Sequence, residues 1–188
     1  PSQIKKNTSD DEQTAQLQVM DAATGDVLAD LSPDPNWISS NNRTLALSND
    51  GTLVSVFNLG RGSGQDGIDS GAIYSVETGE MVQAFNYAYS AADVAFDPTG
   101  QRYAVLANDT VYIYGLAALD EQAAVTLADS KRTLQWSTDG NYVIANRDQS
   151  LAIISATGEI VTEIEGESVE ARFANVFVSP HESVFVTT

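Results

Sequence analysis

The chain has 188 residues, 43% of them hydrophobic, enough to bury a core of its own as one domain. Its 26 acidic residues against nine basic ones give a net charge of −17, which argues against nucleic acid and anionic membrane surfaces, since both are bound through cationic side chains. The absence of cysteine excludes thiol chemistry and disulfides, and a single histidine excludes a multi-histidine metal centre.

Residues 1–14 are polar and carry Lys5-Lys6 and Asp10-Asp11-Glu12; they have little to bury and read as a mobile tail before a domain over 15–188. Leu17 to Leu31 reads as two strands around Thr24-Gly25. Pro33 and Pro35 then exclude helix from the following link, where Trp37 is a candidate exposed aromatic anchor. Residues 44–85 hold four strands, interrupted by the glycine-rich stretch Leu59 to Gly71. Gly62, Gly64 and Gly67 there match a dinucleotide fingerprint by letters, but Ala72 to Val76 reads as a strand where that motif needs a helix. Asp66 and Asp69 could give carboxylates to Ca²⁺, and Arg61 adds a cation for partner contact.

Tyr87 and Tyr89 form a candidate recognition pair in the next link. Residues 92–127 hold four further strands; Ala117 onward reads as a loop leading into an outer strand Ala123 to Leu127. The link Asp129 to Arg132 is charged, and Arg132 is a candidate binding residue. A third set of strands spans 133–165. Val176 to Val186 gives a strand, a turn with His181, and another strand.

Two phrases recur. The first is an apolar strand and a small polar turn: Leu45 to Gly51, Val94 to Gly100, Leu134 to Gly140 and Val176 to Glu182, at intervals of 49, 40 and 42 residues. The second is Thr-Gly between strands, at Thr24-Gly25, Thr78-Gly79 and Thr157-Gly158, with Leu119-Asp120 in the remaining copy. Four short strands in ~40–45 residues is the period of a propeller blade. These residues resemble the WD-repeat and related bacterial propeller families, without a Trp-Asp dipeptide: the matching places read Tyr114-Gly115 and Ile154-Ser155.

The resemblance implies an all-β propeller of about four blades. Three are complete, over 44–85, 92–127 and 133–165; one is composite, built from 170–188 and 15–31. The arrangement is a four-bladed ring, half of a two-chain ring, or part of a larger propeller. The face with the inter-blade links and the 59–71 insertion is the one such proteins most often use. The expected function is non-catalytic: a protein-binding or scaffold module acting through Trp37, Arg61, Asp66, Asp69, Tyr87, Tyr89 and Arg132. No cofactor is expected. The alternative is an extracytoplasmic enzyme or a ligand- or cation-binding propeller with an acidic central channel, for which Ca²⁺ is the candidate ion. A protein partner is expected, with a homodimer or larger assembly open and no membrane insertion. Composition leans to a secreted or periplasmic protein, or to the cytoplasm of a salt-adapted organism.

Overall fold

The computed structural model describes residues 17–31, 43–58, 71–85, 91–107, 109–127, 131–147, 150–165, 176–178 and 185–187. Among these residues there are sixteen strands and no helix. β1 (Leu17–Met20) and β2 (Val27–Leu31) form a two-stranded sheet. Three four-stranded sheets follow. The first holds β3 (Arg43–Leu47), β4 (Leu53–Asn58), β5 (Gly71–Ser75) and β6 (Met81–Phe85). The second holds β7 (Ala91–Phe96), β8 (Arg102–Ala107), β9 (Thr110–Gly115) and β10 (Glu121–Thr126). The third holds β11 (Lys131–Trp136), β12 (Tyr142–Arg147), β13 (Ser150–Ser155) and β14 (Ile160–Glu165). β15 (Val176–Val178) and β16 (Phe185–Thr187) make a final pair, and β15 lies beside β11.

Each sheet is an antiparallel meander in chain order, which is a propeller blade, and the fold is a propeller-type row of three blades flanked by two half-blades. The two segments expected to build a composite blade each form a two-stranded sheet. Among the described residues no ladder joins β1–β2 to β15–β16.

The cores sit between blades, not inside one. Leu17, Val19, Ala29 and Leu31 pack on Val54, Val56, Ala72 and Tyr74 of blade 1. Phe57, Ile73 and Phe85 of blade 1 pack on Val94, Tyr103, Val105 and Tyr114 of blade 2. Leu106, Ile113 and Val125 of blade 2 pack on Leu134, Trp136, Val143 and Ile154 of blade 3. This explains why the middle strands read as continuous apolar runs: β8 is buried at every position from Tyr103 to Ala107, with a neighbour on each face. The outer strands keep an exposed rim, with Val27-Leu28, Met81-Val82 and Ile160-Val161 at its surface.

The two recurring turns supply the corners. In the first, the Ser48 hydroxyl donates to Asp50 (2.6 Å) and accepts from the Leu53 N–H (2.9 Å); Ser137, Asp139 and Tyr142 repeat the same distances. The Ser48 hydroxyl, with help from Thr52, holds the Asp50 carboxyl below the usual range. The second turn ends on a left-handed residue, Gly25, Gly79 or Gly158 in three sheets (φ 77°, 70° and 88°). Leu119 takes that role in blade 2 at φ 54°, at a backbone cost of roughly 1 kcal/mol. Its side chain joins the seam between blades 1 and 2, and its carbonyl accepts from Gln83 Nε2 at 3.2 Å. The strained leucine therefore fastens blade 2 to blade 1.

Two expectations are corrected. The outer strand of blade 2 starts at Glu121 rather than Ala123, because Glu121 pairs with Tyr114 through a bulge. Lys131 and Arg132 belong to β11 rather than to the preceding link. The tail at 1–14 and the His181 turn lie outside the described residues.

Candidate binding face and the seam between blades 2 and 3

The strand register fixes where the long links leave the blades. In blade 1, Arg43 pairs with Asn58, Phe57 with Gly71, and Gly71 with Phe85. The links 32–42, 59–70 and 86–90 are thus all anchored at one end of this sheet. In blade 2, Ala91, Ala107, Thr110 and Thr126 mark the same end by the same logic. In blade 3 the marks are the pairs Lys131–Arg147 and Ser150–Glu165. β7 and β11 run alongside each other with these ends together, since Asp93 bonds Leu134 and Ala95 bonds Trp136. This end of the sheets therefore carries the anchors of 32–42, 59–70 and 86–90, and of 128–130 between blades 2 and 3.

Of the sequence candidates, Trp37, Arg61, Asp66, Asp69, Tyr87 and Tyr89 lie outside the described residues. Arg132 is placed by its backbone. It is the extra residue of a β-bulge, because Lys131 faces Arg147 while Thr133 faces Asn146. β7 bulges at the same step, between Ala91 and Asp93. Bulges re-aim side chains and cluster at sheet rims beside functional sites. Among the described residues no group of three or more His, Cys, Asp or Glu stands together as a metal cluster.

Just below this rim, blades 2 and 3 are bolted by polar groups that repeat spacing alone does not name. Asp93 accepts from the Leu134 N–H at 2.7 Å across the seam and from the Val94 N–H at 2.9 Å. Burial pushes its carboxyl up to about 6, outweighing the two N–H groups that pull it down. Trp136 Nε1 donates to the Ala95 carbonyl at 3.0 Å. At the turn end, Arg102 donates to buried Asp97 (3.1 Å) and to the Gly140 carbonyl (2.7 Å), with its guanidinium 5.3 Å from the Trp136 ring centroid. Between β7 and β11 runs a shallow groove of about 290 Å³, lined by Phe96, Leu134 and Trp136 among others. The available signal was the 40-residue interval between the Gly100 and Gly140 turns: Asp93–Leu134 and Ala95–Trp136 are each 41 residues apart.

No family model matches the chain. A similar protein is eukaryotic translation initiation factor 3 subunit I of Lodderomyces elongisporus, 25% identical over 142 residues, which are 62% of this chain and 41% of that subunit. Kuenenia stuttgartiensis hydrazine synthase is similar in structure, with a TM-score of 0.64 and 16% identity over 86% of this chain and 45% of the solved one. The computationally designed Ika8 protein superposes with a TM-score of 0.69 and 15% identity, over 98% of this chain and 54% of its own. The structural likenesses show the fold alone. The chain spans about half the length, or less, of each of these proteins.

Proposed function

We propose that this protein is a non-catalytic interaction module that holds a protein partner on the face where the long links are anchored. The observation that carries the reading is the shared sheet end: three blades present the anchors of 32–42, 59–70, 86–90 and 128–130 side by side. Rigid strands beneath irregular links are the usual platform for recognition. The similarity to a translation-factor subunit supports the reading, since a subunit works bound to other proteins. Trp37, Tyr87 and Tyr89 supply aromatic contact, Arg61 and Arg132 the cations, and Asp66 and Asp69 the anions. The overall charge of −17 favours a basic partner surface.

Deletion of residues 61–69, or Tyr87→Ala, is expected to weaken affinity for a captured partner at least tenfold, with the melting temperature held within a few degrees. Calorimetric titration together with thermal melting reads both quantities. Unchanged affinity, or a deletion that unfolds the protein, would contradict the reading.

A further inference from the structure

Every outer strand breaks its register at the same step. Met20 faces Val27 while Val19 faces Ala29, so Leu28 is the extra residue of a β-bulge. Val82, Gln122 and Val161 are extra in the same way in blades 1, 2 and 3. A bulge turns side chains outward and spoils a sheet edge for a further strand. The residue before each bulge and the bulge residue form a pair on the rim: Val27-Leu28, Met81-Val82, Glu121-Gln122 and Ile160-Val161. The six apolar members are between 45% and 59% exposed.

Blade 2 shows that the fold does not require apolar side chains here, since Glu121-Gln122 fills the same two places in the same register. The other three pairs expose apolar surface that the sheets do not use, and such surface marks contact with something else. An exposed acid precedes each pair: Asp26, Glu80, Asp120 and Glu159. Among the described residues Arg102 is the one basic residue placed at this end of the sheets, and it is held by buried Asp97. Apart from 179–184, every stretch outside the described residues joins the strands at the opposite, link-bearing end.

We propose that these acid-and-apolar steps dock a basic amphipathic helix of another protein. The site lies on the outer edge of the sheets, separate from the link face and from the inner-strand turns, and does not depend on the function proposed above. Charge complementarity selects the occupant. An acid beside two apolar side chains is matched by a cation beside apolar ones, and these 188 residues, with nine basic side chains against 26 acidic, are poor in that pattern. The bulges select the form. A bulged edge refuses an added strand, whereas a helix brings cations and apolar side chains together on one face without using the edge.

Fluorescence anisotropy with a short labelled amphipathic helix of leucine and lysine tests this, with a lysine–serine peptide as the control for charge alone. Leu28→Gln, Val82→Gln and Val161→Gln together give the other outer strands the Gln122 of blade 2 and leave the net charge unchanged. They are expected to weaken binding of the helix at least tenfold while keeping the circular dichroism of the blades. Gln122→Val, the reverse exchange, is expected to tighten it at least twofold and decides the matter should the triple variant not fold. Deletion of residues 61–69 is expected to leave this affinity unchanged, which separates the site from the link face. No binding of the helix to the wild type, equal binding of the serine control, indifference to the glutamine or the valine exchange, or loss of binding on deletion of 61–69 would overturn the proposal.

Discussion

Asp93→Asn is expected to stabilise the protein at pH 7.5 and to lose that advantage as the pH falls through 6. Burial holds the Asp93 carboxyl at about 6 in the folded protein, against an ordinary 3.8. The folded state thus binds a proton over a range where the unfolded chain has released it. Stability from this group is complete below 3.8 and is lost as the pH rises through 6. At neutral pH the buried charge costs on the order of 3 kcal/mol. Asparagine carries no charge and still offers an oxygen to the Leu134 N–H, so it removes most of that cost and keeps the bolt between blades 2 and 3. Urea unfolding of both proteins from pH 7.5 to 4.5 reads the difference. The other carboxylates titrate equally in both, so only the gap between the curves matters. Parallel curves would show that Asp93 is not buried as described.

Tyr103→Ala is expected to produce the largest loss. Tyr103 is fully buried at the seam between blades 1 and 2. It stacks on Tyr114 with ring centroids 5.0 Å apart, meets Phe85 edge-on at 5.9 Å, and donates to Gln83 Oε1 at 2.6 Å. Burial drives its phenol far above the usual range, so it is a neutral donor at any working pH. Truncation leaves a cavity bordered by two blades and should cost about 3–5 kcal/mol. For a domain of this size that is a fall of roughly 10 °C or more in melting temperature. Tyr103→Phe keeps the rings and loses only the bond to Gln83, for about 1 kcal/mol. Scanning calorimetry of the two variants separates packing from hydrogen bonding; equal losses would contradict the assignment of the larger share to the rings.

The sheets were legible because each corner demands a particular backbone. Gly25, Gly79 and Gly158 occupy left-handed positions that few other residues accept, so Thr-Gly marks a corner in the sequence as well as in space. Blade 2 was harder to delimit, because Leu119 fills that position and Glu121-Gln122-Ala123-Ala124 carries little strand propensity. Pairing with β9 overrides that weakness. The start of β11 is not legible in the sequence, since Lys131 and Arg132 have the charge of a link, while pairing with β12 makes them strand. The polar seam of Asp93, Arg102 and Trp136 is set by which blade packs on which, and a local pattern does not encode that. The candidate face is the reverse case. Its residues stand in links without periodicity, and the sheets locate the anchors of those links, whereas residue chemistry alone nominated the side chains.

The proposed function puts the partner on the face that anchors the links. A photo-reactive residue placed at Tyr87, and separately at Thr99 in the turn at the opposite sheet end, tests it in a lysate of the native host. A discrete cross-linked adduct is expected from Tyr87, lost when residues 61–69 are deleted, and none from Thr99. Adducts from Thr99 instead, from both positions alike, or from neither would contradict it.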